Sequence, residues 1–328
     1  MAASSVPQNR TANPTNVYTA IVLAATTINE TYLWFYLVFA GVCFIIGFVG
    51  NLLIVVVMLQ RKLWRRSYSR VFVQLAVCDT LVLITCSMKY INVVSYTFHG
   101  KIALKPSTRI QCICFEYFIT ICVSASPWTL VLVAAERMCV VCFPFRGPRF
   151  WSPKTASRLC LFVACSIALI NSYLLVTIDV SDSGCNFKDQ QFTKPLLTSI
   201  LTSVGPFIAL AITSVITSVA LYRKKGDSKT TRASKYSNQV TVLVLLLCVF
   251  FLATTFPATL FAPFVWTNSR LKNIFAALID ILMINYSYNL CVYLLTGKEI
   301  RNELRKLMLK VFVNGLNMFP CRNRGGSM

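Results

Sequence analysis

Gln111–Arg146 reads QCICFEYFITICVSASPWTLVLVAAERMCVVCFPFR. It is a mostly apolar run closing on Glu136 and Arg137, two charges placed where a membrane helix reaches water. Ionisable groups at that depth are costly, rare and usually functional. The rest of the chain is therefore read as scaffold for this one helix.

Composition supports a membrane setting. Only 13% of the 328 residues are charged, 56% are hydrophobic, and mean hydropathy is +0.65. A soluble domain carries about 25% charged residues. Apolar runs of span length recur along the chain, and each is long enough to cross a bilayer as a helix. The runs are continuous rather than alternating, which selects helices over a barrel. Length alone would suggest two soluble domains, but the even spacing of the runs argues for one bundle. The formal charge of +21 sits in short runs between apolar spans. That pattern is a topology signal and gives little weight to nucleic acid, which is not expected as a partner. His99 is the one histidine, and Cys43, Cys86, Cys122, Cys165 and Cys248 lie inside apolar runs, where cysteine behaves as a small apolar residue.

In chain order, residues 1–31 form a polar tail with two acceptor sequons, Asn9-Arg10-Thr11 and Asn29-Glu30-Thr31; Asn13 precedes Pro14 and does not count. Val17–Ile28 lacks a basic leader and is too polar for a signal peptide, so the first span is expected to insert uncleaved. Residues 32–296 hold seven expected spans: Tyr32–Leu59, Val71–Tyr96, Ile110–Cys142, Ser157–Ile178, Phe192–Tyr222, Tyr236–Trp266 and Leu271–Leu295. Loops after odd spans carry Arg61, Lys62, Arg65, Arg66 and Arg70, then Arg146, Arg149, Lys154 and Arg158, then the 223–235 cluster. The opposite side has only Arg10, Lys101, Lys105, Arg109, Lys188, Lys194, Arg270 and Lys272. Positive charge collects in the cytoplasm, which puts the N-terminus outside, where the sequons independently place it.

Residues 297–328 are the inner tail. Thr296-Gly297 interrupts the last span, and Ile300, Leu304, Leu307, Met308 and Val311 recur at helical spacing among Lys and Arg. The reading is a basic amphipathic helix on the inner leaflet. Cys321 beyond it is a candidate for palmitoylation, against the equal alternative of an unmodified tail thiol.

Polar residues inside the spans carry the functional argument: Asn51, Asp79, Ser126, Asn285 and Asn289. For each Asn or Ser alone the bland explanation is an interhelical hydrogen bond worth roughly 1 kcal/mol. An Asp in mid-membrane needs partners or a cation, so Asp79 is read as functional.

Order and spacing of these residues make the chain resemble a rhodopsin-like (class A) G-protein-coupled receptor from about residue 32 to 312. The resemblance rests on Gly50-Asn51, on Leu75-Ala76-x-x-Asp79, and on Glu136-Arg137 with Cys112 upstream. Pro206, Phe251 six residues before Pro257, and Asn289-Leu290-x-x-Tyr293 complete it. It implies an all-α bundle of seven membrane helices with a short amphipathic eighth helix, and a receptor rather than an enzyme. Glu136, Arg137, Phe251, Pro257, Asn289 and Tyr293 are then the expected switch and G-protein coupling residues. Asp79, Ser126, Asn285 and Asn289 resemble the family's sodium pocket, whose oxygen ligands suit a small hard cation; no other cofactor is implied. Cys112–Cys185 is the implied outer disulfide, with Cys114 a competitor two residues away.

Several positions depart from the family's pattern. Met138 replaces a Tyr, Leu290 replaces the span-seven Pro, and Thr255 stands where a Trp is usual. Span four lacks its usual Trp, Ser214 stands in place of a span-five Tyr, and Ser237 offers Arg137 no acid from span six. A weaker span-seven kink and atypical switching are the expected consequences.

For the ligand, Ile119 occupies the place of the acid that binds amines, and Leu282, Met283 and Ile284 leave no lysine for a retinal Schiff base. Lys89, Glu116, Ile119, Thr255 and Asp280 line the expected outer cavity, where charges of both signs suit a peptide, a neuropeptide first, or else pair with one another and snorkel. The partners expected are thus an extracellular peptide, a heterotrimeric G protein and membrane lipids, at the plasma membrane. A seven-span transporter or channel is the alternative from another class, disfavoured by the lack of detectable inverted repeats. A membrane hydrolase is disfavoured by the isolated His99.

Overall fold

The computed structural model describes residues 30–99, 108–181, 184–187, 200–225, 239–255, 281–296 and 298–317. Span one is Glu30–Met58, span two Ser67–His99, span three Arg109–Cys142 and span four Pro153–Ile170. Span five comprises one wide turn, Ile200–Val204, continuing as Gly205–Lys225. The described part of span six is Gln239–Thr255; that of span seven is 281–287 and Asn289–Thr296. The eighth helix is Lys298–Asn317. Among the described residues, five helices are long and apolar enough to cross a membrane, those of spans one to five.

Local chemistry explains where the helices start. Thr108 caps span three by accepting from the Gln111 N–H, while the Gln111 side chain accepts from the Thr108 N–H, both at 3.3 Å. Ser152 accepts from the Thr155 N–H at 3.1 Å, and Pro153 takes the first helical position where no donor is needed. This cap starts span four four residues before the apolar count does. At its far end the expected boundary of Ile178 is corrected. The helix stops at Ile170, a tight turn Asn171–Tyr173 and a short helix Leu174–Thr177 follow, and Ile178 opens a strand. Strands β1 (Ile178–Ser181) and β2 (Gly184–Phe187) pair antiparallel, with Ile178 opposite Phe187 and Val180 opposite Cys185. This outer hairpin is an addition that hydropathy does not announce, because its strands are short.

The bundle's interior draws on every span, with Ala156 and Cys160 from span four and Leu210 from span five. Ile54, Phe72, Leu75, Val133, Leu247, Phe251 and Tyr293 pack there, while Ile45, Leu161, Phe162, Leu169 and Val215 face outward. Apolar residues on the outside and Asn51, Asp79, Ser126 and Asn289 inside suit a lipid solvent. Spans one and seven meet at glycine: a Cβ at Gly47 would lie 2.9 Å from the Ser287 Cα, and one at Gly50 3.0 Å from Leu290.

Span seven bends at Tyr288 despite Leu290 in place of proline. The weaker kink expected there is not a straight helix, since Asn51 of span one donates to the Tyr286 carbonyl at 3.0 Å, supporting the backbone just before the bend. The last turn of span seven is closed from outside as well. Arg301 of the eighth helix donates to the carbonyls of Leu294 (2.6 Å) and Leu295 (2.8 Å), groups that have no partner within their own helix.

Candidate functional site

Ile119, Ser126, Val133 and Arg137 recur at spacings that put them on one face of span three, and all four are buried. That face crosses three polar levels.

At the outer level Cys112 is bonded to Cys185, with Cα atoms 5.4 Å apart, and Cys114 is an exposed free thiol. Leu174 and Ile178 bury the bridge, and Tyr117 donates to the Ala168 carbonyl at 2.9 Å. Arg109, which the charge count treats only as an outer cation, donates to the carbonyls of Ile178 (3.1 Å) and Val176 (3.3 Å). The hairpin is thus held to span three by a covalent and an ionic-polar tie. Glu116 is half-buried one turn inside, and Ile119 is buried below it.

At mid-depth Asp79 is 1% exposed. Its Oδ1 accepts from the Ser126 hydroxyl and its Oδ2 from Asn289 Nδ2 at 2.5 Å. Asn285 is buried one turn before Asn289 but does not join that hydrogen-bonded group. Three or more metal-binding His, Cys, Asp or Glu side chains do not cluster anywhere among the described residues. With both present neighbours donating to it, Asp79 is satisfied by side chains alone.

Trp128 lies on the same level and was not foreseen as a site residue. Its Nε1–H donates to the Leu201 carbonyl at 2.8 Å. In the wide turn Ile200–Val204 a carbonyl pairs with the N–H five residues on, and for Leu201 that residue is Pro206, which has none. Trp128 supplies the missing donor. Pro206 is visible in the sequence, but its partner is a backbone atom, which no side-chain pattern encodes.

At the inner level Arg137 is 6% exposed and Glu136 0%. Arg137 Nη2 donates to Glu136 Oε1 at 2.8 Å, the same oxygen that accepts from the Ser67 hydroxyl at the start of span two. The Arg137 guanidinium lies 5.3 Å from the Tyr68 ring centre. Arg137 also lines a crevice with Ala134, Thr213, Thr217, Thr241, Val244 and Cys248, too tight to admit water. Phe251 is buried above it, and Tyr293 packs edge-on against Phe72 at 5.1 Å. Ser67 and Tyr68 were legible only as part of a basic loop, because the helix begins four residues before its apolar run.

Between spans two, three and four, Gln74 donates to Thr129 Oγ1 (3.2 Å) and to the Cys160 carbonyl (3.3 Å). This junction occupies a span-four surface that lacks tryptophan. Thr255 is buried at the end of the described part of span six. Asn9, Asn29, Pro257, Asp280 and Cys321 lie outside the described residues, as does the side chain of Lys89.

Residues 50–293 match the family described as 7 transmembrane receptor (rhodopsin family). The chain belongs to that family. It is therefore a receptor-family membrane protein built as a seven-helix bundle, not an enzyme. Relatives include a thyrotropin-releasing hormone receptor from Gallus gallus, 26% identical over 36% of this chain and 28% of the relative. An allatostatin-A receptor from Bombyx mori is 30% identical over 39% and 33%. A rhodopsin from Sargocentron microstoma is 23% identical over 86% and 83%. The chain thus spans about a third or less of the first two of these relatives and most of the rhodopsin.

Proposed function

We propose that this receptor sits in the plasma membrane with its N-terminus outside and passes the binding of an extracellular peptide to a heterotrimeric G protein. The observation that carries the reading is Arg137: a buried cation at the inner end of span three, held by Glu136, which Ser67 holds in turn. A charge kept in that position by two removable contacts is suited to release, and the closed crevice beside it is suited to opening. Ligand binding that favours an open arrangement would shift the population toward it by as much as its affinity differs between the two states. Span six supplies Val244 and Cys248 to the crevice wall, so its outward movement admits a partner helix.

A peptide is favoured over a chromophore or an amine. Leu282, Met283 and Ile284 provide no Schiff-base lysine, Ile119 provides no counter-charge for an amine, and relatives include proteins named as a thyrotropin-releasing hormone receptor and an allatostatin-A receptor. Asp79, with Ser126, Asn285 and Asn289, would hold sodium in the closed arrangement by turning oxygens toward it. The bound ion would offset the buried carboxylate. Glycans on Asn9 and Asn29 outside and an acyl group on Cys321 inside complete the proposed topology.

The test is a neuropeptide library applied to cells expressing the chain, with nucleotide exchange on G proteins as readout. Arg137→Ala is expected to abolish exchange while surface expression and peptide binding persist. Peptide-driven ion or solute flux without nucleotide exchange refutes the reading in favour of transport. For the ion, Asp79→Asn is expected to remove the sodium dependence of agonist affinity; unchanged dependence rejects the sodium site.

A further inference from the structure

At the span-seven bend, two consecutive residues reach to different neighbours. Asn289 donates to Asp79 at 2.5 Å. Tyr288 donates its hydroxyl to the Leu247 carbonyl of span six at 3.0 Å, and its ring lies 4.9 Å from that of Phe250. Leu247 is fully buried, and its neighbours Val244 and Cys248 face the Arg137 crevice. The Tyr288 hydroxyl therefore fastens span six at the height of the crevice wall.

The chemistry of this bond differs from that of a structural tie. A carbonyl has two lone pairs, so Leu247 can accept from Tyr288 without giving up its place in its own helix. Breaking the bond leaves the span-six backbone intact, and span six can move as a rigid element. The bond is part-buried, with the Leu247 side of it fully enclosed, and in a low-dielectric setting a made bond is stronger than in water. Asn289 is covalently adjacent, so a change at Asp79 that turns Asn289 also turns the backbone that aims Tyr288.

We propose that Tyr288 is a latch that holds span six closed over the Arg137 crevice, and that Asn289 ties its release to the Asp79 group. The latch is a property of the helices themselves; only its signalling consequence rests on the receptor reading above. Tyr288→Phe keeps the ring against Phe250 and removes the hydroxyl alone.

Hydrogen–deuterium exchange by mass spectrometry on the full chain in lipid nanodiscs, with no ligand or partner, reads the latch directly. In Tyr288→Phe, exchange is expected to rise about two- to tenfold, the worth of one net hydrogen bond, and to do so within Gln239–Thr255 rather than in spans one to four. Asp79→Asn is expected to accelerate the same segment and to add little in the Tyr288→Phe background, because both act through one bond. Unchanged exchange in that segment, or an equal rise in every span, overturns the latch; fully additive effects overturn its tie to Asp79. Basal nucleotide exchange on an added G protein is expected to rise with the segment's mobility. Faster segment exchange with no nucleotide exchange from either protein supports the latch and defeats the transducer reading instead.

Discussion

Replacing Trp128 by phenylalanine isolates the donor that serves the wide turn of span five. The indole Nε1 sits 2.8 Å from the Leu201 carbonyl, whose in-helix partner would be the absent N–H of Pro206. Phenylalanine leaves that acceptor unserved, at a cost of about 1–3 kcal/mol. It also removes the outer ring edge that approaches Gly205, where a Cβ would come within 3.1 Å of the indole. The small void adds on the order of 1 kcal/mol. At about 2–4 °C per kcal/mol for a large domain, Tm is expected to fall by roughly 4–16 °C. A thiol-reactive dye suits the measurement, since Cys43, Cys122, Cys160 and Cys248 are buried free thiols exposed on unfolding. The decisive arm is a double-mutant cycle with Pro206→Ala, which restores an N–H within reach of Leu201. In that background Trp128→Phe should cost markedly less, giving a coupling of about 1 kcal/mol or more. Strictly additive losses, or a Trp128→Phe protein that melts with the wild type, would refute the reasoning.

Further outcomes follow from the same geometry. Gly47→Ala places a Cβ 2.9 Å from the Ser287 backbone and should destabilise by about 1–3 kcal/mol, whereas Gly41→Ala meets nothing within 4 Å and should be neutral or stabilising by up to about 1 kcal/mol; the two melting curves side by side check this. Leu290→Pro should be tolerated at well under the ~3 kcal/mol of a proline inside an intact helix, because span seven already bends at Tyr288 and Asn51 serves the Tyr286 carbonyl. A protein that fails to fold would show that the bend depends on the Leu290 N–H or its packing. Arg109→Lys should loosen the outer hairpin, since a single ammonium does not reproduce the fork to Val176 and Ile178; faster hydrogen exchange over 176–187 with an intact Cys112–Cys185 bond is the expected signature.

The site was legible wherever its chemistry lies in the identity of a residue set against its surroundings. Asp79 and the Glu136-Arg137 pair are conspicuous because charge inside an apolar run is costly, whatever its partner. Ser126 and Asn289 became specific only through the resemblance to the receptor family. Ser67, Trp128, Arg109 and Tyr288 were not singled out, and each acts on something a string of side chains does not display. Three of them bind backbone carbonyls, of Leu201, of Ile178 and Val176, and of Leu247, and every residue has a carbonyl. Ser67 meets a carboxylate 69 residues away. Leu290 is the reverse case: a missing proline predicts less kink, yet a hydrogen bond from span one supports a bend in its place.

Apolar run length, the Lys/Arg imbalance between loops and the polar residues within spans are properties of the chain taken one segment at a time. A bilayer tests segments in the same way, through hydrocarbon thickness and the cost of charge. By itself, then, the sequence determined the helical membrane class, the number of spans and their expected orientation. Which oxygen a buried donor finds depends on how the helices rotate and approach one another, and that is set by many packing contacts together: glycine against Ser287, aromatic rings between spans, a hairpin bonded to Cys112. Tertiary structure alone joined Asn289 to Asp79, Ser67 to Glu136 and Tyr288 to span six. The physical reason is that hydrogen bonds act over about 3 Å, a distance that sequence separation does not measure.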